Sequence, residues 1–426
     1  MKSIFKGNLL LKITSLNAFV ITTRLVISLF VQRILAVTVG EMGIAKIGQI
    51  RNLLQIMTST SSLGVFNGVV KYVSEFREDN KKLNDFFSTT IIFVFIGSLF
   101  TTSVLISSAP WINEQLFGEL DLVWLIRLLA FLPLFVGTHR VFYGVINGLS
   151  EYKKYAKIDL LSYVLSVSLL LICLYYSNLE GVLFAIAITP IIQLLVLVTI
   201  FGSVLKKYLQ ISKLKFKLPF AKELLAFTLM SVVSTVLINY IELDIRTMIT
   251  NKISINEAGY WTAMNFISKN YMAFSSAIFT LYVIPKFARI YKGGDFLKEV
   301  FNIYKTILPI FGIGMVLVYL FRETIIFLIY PDFTGLEPLF KWQLLGDFIR
   351  LASLVIAHQF LAKKMVKSFI ITELISLGLF YFLSKNLVEV YGATGVVMAH
   401  FYRYIIYFGI VVIAIWNYFH TDKHSN

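Results

Sequence analysis

Residues 181–204 read GVLFAIAITPIIQLLVLVTIFGSV, a stretch with no charged side chain. About 20 apolar residues in an α-helix cross a hydrocarbon core about 30 Å thick, so this run is long enough to span a bilayer. Similar runs recur at 86–107, 160–176, 307–321 and 396–416. Of the 426 residues, 58% are hydrophobic and 15% charged, with a mean hydropathy of +0.78. Soluble domains hold about 45–50% apolar and about 25% charged residues, and a soluble fold cannot hide the excess. Lipid offers the backbone no hydrogen-bond partners, and short alternating polar and apolar strands are missing from the sequence. Helices are therefore expected, and a β-barrel is not.

The expected fold class is an all-α membrane protein of about twelve spans. They are placed at 9–36, 44–69, 85–107, 122–147, 158–176, 181–204, 223–245, 258–284, 300–320, 339–361, 368–385 and 393–416. Lys2 and Lys6 ahead of the first apolar stretch resemble a secretory signal. Arg24 and Arg33 interrupt that stretch and another span follows, so it reads as a retained first helix. The single Cys173, inside an apolar run, reads as a packing residue.

Basic residues orient the chain. The segments 71–82, 153–157, 206–222, 286–298 and 363–367, with Lys2, Lys6 and Lys423, hold 23 Lys and Arg, whereas the alternate loops hold 5: Lys46, Arg246, Lys252, Arg322 and Lys385. The positive-inside rule then puts both termini in the cytoplasm. This alternation also accounts for most of the formal charge of +15 and argues against a nucleic-acid groove.

The longest inward loop, 207–222, falls at mid-chain and reads as a basic linker between an N-terminal six-helix lobe, 1–206, and a C-terminal one, 223–426. Markers recur across it: Glu41 and Gly43 with Glu257 and Gly259, Phe66 with Phe279, and Gly181, Val182 and Ala185 with Gly395, Val396 and Ala399. Their separations are 216, 213 and 214 residues. A common order at nearly one spacing predicts duplication. Two such lobes would be related by an axis along the membrane normal and would enclose a central cavity.

Charges inside spans are expensive, about 2.5–3.5 kcal/mol at a helix centre on insertion scales, so they need a partner, water or a function. Lys12, Arg33, Arg140, Lys305 and Lys341 lie within snorkelling reach of an interface. Arg24, Arg51, Lys269, Arg350 and Arg403 lie deeper, and against them the sequence offers Glu242, Asp244, Asp347 and Glu373 as acidic partners. The surplus is positive, so the expected cavity suits an anionic cargo, and guanidinium forks suit phosphate. An Asp347–Arg350 pair on one helix face accounts equally well for those two residues. Asp347 and Glu373 are also candidates for coupling to protons or sodium. Thr14, Ser15, Asn17, Thr22, Thr23 and Ser28 in the first span, and residues 58–62 in the second, fit either a wet interior or hydroxyl-mediated helix packing. His139, His358 and His400 have no metal-ligand spacing, so no metal is expected. With no phosphate-cradling glycine loop and no nucleophile elbow, neither an ATP-driven pump nor a catalytic residue is expected.

The run Gly64-Val65-Phe66-Asn67-Gly68-Val69-Val70-Lys71-Tyr72-Val73 resembles the end of the second helix in flippases for O-antigen and enterobacterial common antigen precursors. Trp342 to Asp347, Ala362-Lys363 and Glu373 are similar to the tenth and eleventh helices of that group. Arg33 to Val37 with Gly40 resembles the end of its first helix, and Arg24 falls where the group carries a basic residue. The resemblance implies the multidrug/oligosaccharidyl-lipid/polysaccharide exporter superfamily, whose two six-helix lobes alternate access to a central cavity. It further implies a bacterial inner-membrane flippase, part of lipopolysaccharide or common-antigen biosynthesis, for undecaprenyl-diphosphate-linked oligosaccharides. The pathway's polymerase and chain-length regulator would be its partners beside membrane lipids. Candidate substrate contacts are then Arg24, Arg51, Asn67, Lys71, Lys269, Arg350 and Arg403. Alternatives are a cation-coupled multidrug exporter of the same superfamily, and a membrane glycan polymerase or glycosyltransferase.

Overall fold

The computed structural model describes residues 9–118, 120–209 and 216–421; of these, the side chains of 9–19, 21, 276, 277, 280, 281, 285 and 421 lie outside the description. Lys2, Lys6, Lys213, Lys215 and Lys423 fall outside the described residues, as do the side chains of Lys12, Thr14, Ser15 and Asn17.

Among the described residues the secondary structure is helical throughout. In chain order the helices are α1 Leu9–Ser61, α2 Phe66–Glu75, α3 Asn80–Ser107, α4 Ala109–Phe117, α5 Val123–Leu129, α6 Pro133–Gly148, α7 Tyr152–Tyr208 and α8 Ala221–Ser231. They continue as α9 Ile238–Lys252, α10 Ile255–Ile278, α11 Ile284–Ala288, α12 Gly293–Leu320, α13 Arg322–Ile329, α14 Glu337–Ala362 and α15 Val366–Thr421. Wider π-type turns, Val232–Leu237 and Phe279–Val283, join α8 to α9 and α10 to α11. Among the described residues seven helical segments are long and apolar enough to cross a membrane, and α5 with α6, bent by 46°, gives an eighth.

Several expected spans are more irregular than their composition suggests. The second breaks at Leu63 and Gly64, both with positive φ. The fourth breaks before Pro133, which opens α6 because a ring nitrogen has no proton to donate into a helix. Lys46 and Arg246, expected in loops, are instead buried in α1 and α9. Lys46 Nζ donates to the Leu116 carbonyl at 3.0 Å, and Arg246 Nε to Thr262 Oγ1 at 2.8 Å. At the α3 N-terminus Asp79 accepts from the Lys82 amide at 3.0 Å, and that bond holds its carboxyl below the usual range.

The 57 residues of α7 would extend about 85 Å if straight, nearly three times what a bilayer needs. The chain turns back instead: Ser177 and Asn178 leave helical geometry, and a Cβ on Gly181 would stand 2.0 Å from the Cys173 carbonyl oxygen. The same device recurs in α15, where Gly392 leaves helical geometry and a Cβ on Gly395 would meet the Leu387 carbonyl oxygen at 2.2 Å. Asn178 (φ 44°, ψ −130°) and Gly392 (φ 58°, ψ −141°) share one backbone conformation and are 214 residues apart, the spacing of Gly181 and Gly395. Asparagine bears strain there that glycine does not. Asn178→Gly is therefore expected to raise stability by about 1 kcal/mol and Asn178→Ala to lower it by a similar amount, read as opposite shifts in Tm.

By packing, the chain divides into a first unit, Met1–Val31 with Lys46–Leu243, and a second, Gln32–Ala45 with Asp244–Asn426. In the first, Val69, Tyr72 and Val73 of α2 pack with Phe86 and Phe87 of α3, Val141 and Val145 of α6, and Leu224 of α8. In the second, α14 packs chiefly on α15 and α12.

Candidate functional site

Each unit carries an ionic cluster on its apolar helices. In the first unit Tyr155, Asp159 and Tyr163 recur every four residues on α7 and so share a face, as do His139 and Tyr143 on α6. Arg24 of α1 reaches this face: its Nη1 lies 2.6 Å from Asp159 Oδ2, and its guanidinium stands 4.8 Å from the centre of the Tyr163 ring. Asp159 Oδ1 accepts from the Tyr143 hydroxyl at 3.4 Å. Tyr143 lies between two rings, Tyr155 at 4.7 Å and stacked His139 at 5.4 Å. Arg51 also lies within electrostatic reach of Tyr163. The pair is open, with 42% of the Arg24 side chain and 23% of Asp159 exposed.

The partner of Arg24 is thus Asp159, which was not among the acidic candidates read from sequence. The positive surplus inferred by counting those candidates is correspondingly smaller. The stripe at 155, 159 and 163 was the available signal, since a polar face on an otherwise apolar helix points inward or to water.

In the second unit Asp347 of α14 is fully buried. Its Oδ2 accepts from Ser268 Oγ at 2.5 Å, the Tyr271 hydroxyl at 2.5 Å and Gln343 Nε2 at 3.0 Å; Oδ1 lies 3.0 Å from His400 Nε2 and 3.7 Å from Arg350 Nη1. Spacings of three and four residues gather these groups: Gln343 with Asp347 on α14, Ser268 with Tyr271 on α10 and His400 with Arg403 on α15. Buried Arg403 donates from Nε to Ser376 Oγ at 2.7 Å and stands 4.8 Å from the Tyr404 ring, which Arg350 approaches at 5.8 Å. Glu373 accepts from the Tyr407 hydroxyl at 2.7 Å. The structure therefore joins Arg350, Arg403, Asp347 and Glu373 through Tyr404 and Tyr407, whose rings are 5.9 Å apart. His400, with no partner suggested by its sequence neighbours, belongs to the same network.

Asn67 is exposed on α2, and Lys71 holds its Nζ 4.5 Å from the Tyr72 ring. Lys269 is exposed on α10. The glycines of the Gly64-to-Val73 run serve packing: a Cβ on Gly64 would come within 2.2 Å of Ser231 Cβ, and one on Gly68 within 2.8 Å of Leu224. Of the residues expected to snorkel, Arg33 donates from Nη1 to the Phe327 and Leu328 carbonyls at 3.0 and 2.5 Å, capping the C-terminus of α13. Among the described residues no group of three or more His, Cys, Asp or Glu side chains is placed to hold a metal ion.

The comparisons with known proteins fit this architecture. The chain is 27% identical to the lipid III flippase of Escherichia coli (strain K12) over 398 residues, covering 91% of this chain and 94% of that protein; the Shigella flexneri lipid III flippase matches equally. Among solved structures, an inward-facing multidrug resistance MATE family transporter of the MOP superfamily superposes with a TM-score of 0.75 at 14% identity, over 91% of this chain and 93% of that one. The lipid II flippase MurJ in an inward closed conformation superposes with a TM-score of 0.71 at 16% identity, over 93% and 87%. Both likenesses show a membrane-transporter fold. Residues 17–332 match the family described as polysaccharide biosynthesis protein, and the chain belongs to that family.

Proposed function

We propose that the chain is a flippase that carries undecaprenyl-diphosphate-linked oligosaccharides, of the O-antigen or enterobacterial common antigen type, to the periplasmic leaflet by alternating access. It is a multi-pass protein of the bacterial inner membrane. The observation that carries the reading is a pair of partly exposed guanidiniums, Arg24 and Arg350, set in apolar helices where lone charge is costly. Each has a carboxylate beside it, Asp159 or Asp347, and each is still open enough to meet water and a phosphate oxygen. The lipid III flippase relation over nearly the whole chain supplies the cargo class. Fold neighbours described as inward-facing and outward-facing support alternation.

Treating the two arms of each kinked helix, α1, α7 and α15, as separate spans turns eight into eleven, and α10 with α11 as one further span supports twelve crossings and, that number being even, cytoplasmic termini on the positive-inside reading. The repeated hinges at Asn178 and Gly392 support the halves 1–206 and 223–426 joined by 207–222, as duplicated segments distinct from the packing units. Arg51, Arg403, Lys269, Asn67 and Lys71 are further cargo contacts in this reading. Asp347 and Glu373 are the coupling groups for a proton or sodium gradient. The polymerase and chain-length regulator of the pathway are proposed partners.

Vesicles loaded with labelled lipid-linked oligosaccharide test it: the protein should accelerate translocation, and a rate equal to protein-free vesicles refutes the reading. Arg24→Gln and Arg350→Gln should each slow it by roughly 10–100-fold, the worth of a charge-assisted hydrogen bond. A multidrug exporter would instead move amphipathic cations, which drug-accumulation assays detect and which exposed guanidiniums repel.

A further inference from the structure

The two ion pairs differ in a way that matters for cargo. Asp347 is fully buried and held by a set of donors from three helices, so it is locked. Asp159 is held by the Arg24 Nη1 contact at 2.6 Å and a long Tyr143 contact at 3.4 Å, and both members of the pair are open to solvent. One guanidinium nitrogen meets one carboxylate oxygen there, whereas an Arg fork has five donors and gains most from a bidentate oxyanion.

We propose that Asp159 is a placeholder for the cargo. Its carboxylate occupies Arg24 until a phosphate oxygen of a glycosyl diphosphate takes that place, and the released carboxylate then accepts hydrogen bonds from hydroxyls of the first sugar. The exchange substitutes one anion for another, so Arg24 is never left as an uncompensated charge at membrane depth. Tyr143, Tyr155 and Tyr163 flank the carboxylate with aromatic faces and hydroxyls. An acceptor between aromatic walls is complementary to a saccharide ring, which offers hydroxyl donors at its edge and C–H groups on its faces. Asp159 thereby becomes a specificity residue for the diphosphate–sugar junction, an assignment that rests on the flippase reading.

The test uses the full chain in nanodiscs of zwitterionic lipid and two soluble probes, citronellyl diphosphate and the same diphosphate carrying one N-acetylhexosamine. The unaltered chain should bind the sugar-bearing probe about tenfold more tightly than the bare one. Asp159→Asn should bind bare citronellyl diphosphate more tightly, because its competitor has lost its charge, and should lose the sugar preference. Asp159→Glu should restore that preference, and Arg24→Gln should weaken both probes. Equal weakening of both probes by Asp159→Asn, or an unchanged preference, overturns the placeholder and leaves a structural ion pair. Should Asp159→Asn fail to fold, Tyr143→Phe takes its place: the sugar preference must fall while bare-diphosphate affinity holds, and an unaltered preference overturns the proposal. A chain that translocates lipid-linked oligosaccharide while failing this test leaves the flippase reading standing. A chain that neither translocates nor binds either probe removes both.

Discussion

Asp347→Ala is expected to cost about 3–5 kcal/mol of stability, the usual penalty for removing one partner of a buried charged pair. The substitution leaves Ser268, Tyr271, Gln343 and His400, all now pointing at Asp347, facing an empty volume, with Arg350 losing the carboxylate 3.7 Å from its Nη1. Their individual losses do not add, since they share one acceptor. Thermal unfolding of the purified protein should show the loss directly. Asp347→Asn keeps the shape and one acceptor oxygen but turns an NH2 toward groups that are themselves donors, so it should fold with a smaller deficit. That variant separates structure from coupling. If Asp347 carries the coupling ion, translocation by Asp347→Asn will no longer respond to an imposed proton or sodium gradient. A gradient response equal to that of the unaltered chain, at lower Tm, would make the network structural and leave Glu373 as the coupling candidate.

How much of this was legible in the sequence depended on separation along the chain. The apolar runs were visible because spanning is a local property of about 20 residues. The Asp347–Arg350 contact was visible because three residues is a helical spacing, and the structure places those groups 3.7 Å apart. The Arg24–Asp159 pair is 135 residues apart and His400–Asp347 is 53 apart; the stripe at 155, 159 and 163 marks the Asp159 face, but no local pattern says which residue pairs with which. Counting charges per span therefore found the cations and missed both partners. The run around Gly64 was read for family likeness, yet its glycines are explained by the approach of α8, a contact that only folding reveals. The break before Pro133 escaped a hydropathy reading because the flanking residues remain apolar, and the one at Leu63 because the hydroxyl residues 58–62 before it were read as a wet interior or helix packing. The duplication markers fared differently: Gly181 and Gly395 were matched by spacing alone, and in the structure each lies against the carbonyl eight residues before it.

Gly181→Ala and Gly395→Ala are accordingly expected to be among the most damaging single-methyl additions in the chain. The new Cβ would lie 2.0 Å from the Cys173 oxygen in one case and 2.2 Å from the Leu387 oxygen in the other, well inside van der Waals contact. Both obstacles are backbone atoms, so the clash cannot be relieved by a rotamer change. The two arms of the hairpin must separate, at a cost of about 1–3 kcal/mol or more. Separation also shifts the register of Val182 against the preceding arm, and of Val396 in the second hairpin, both fully buried. Gly378→Ala and Gly409→Ala are the controls, because nothing lies within 4 Å of a Cβ at either position. In a helix interior alanine outperforms glycine by roughly 0.5–1 kcal/mol, so these two should be neutral or stabilising. Melting of the four variants in one detergent should separate the two destabilised ones from the two that are neutral or stabilised. Because the hinge conformation and the close carbonyl recur at one spacing, Gly181→Ala and Gly395→Ala should cost nearly the same. A large cost at one site with none at the other would mean that the two hairpins, alike in geometry, are not held together by the same contact.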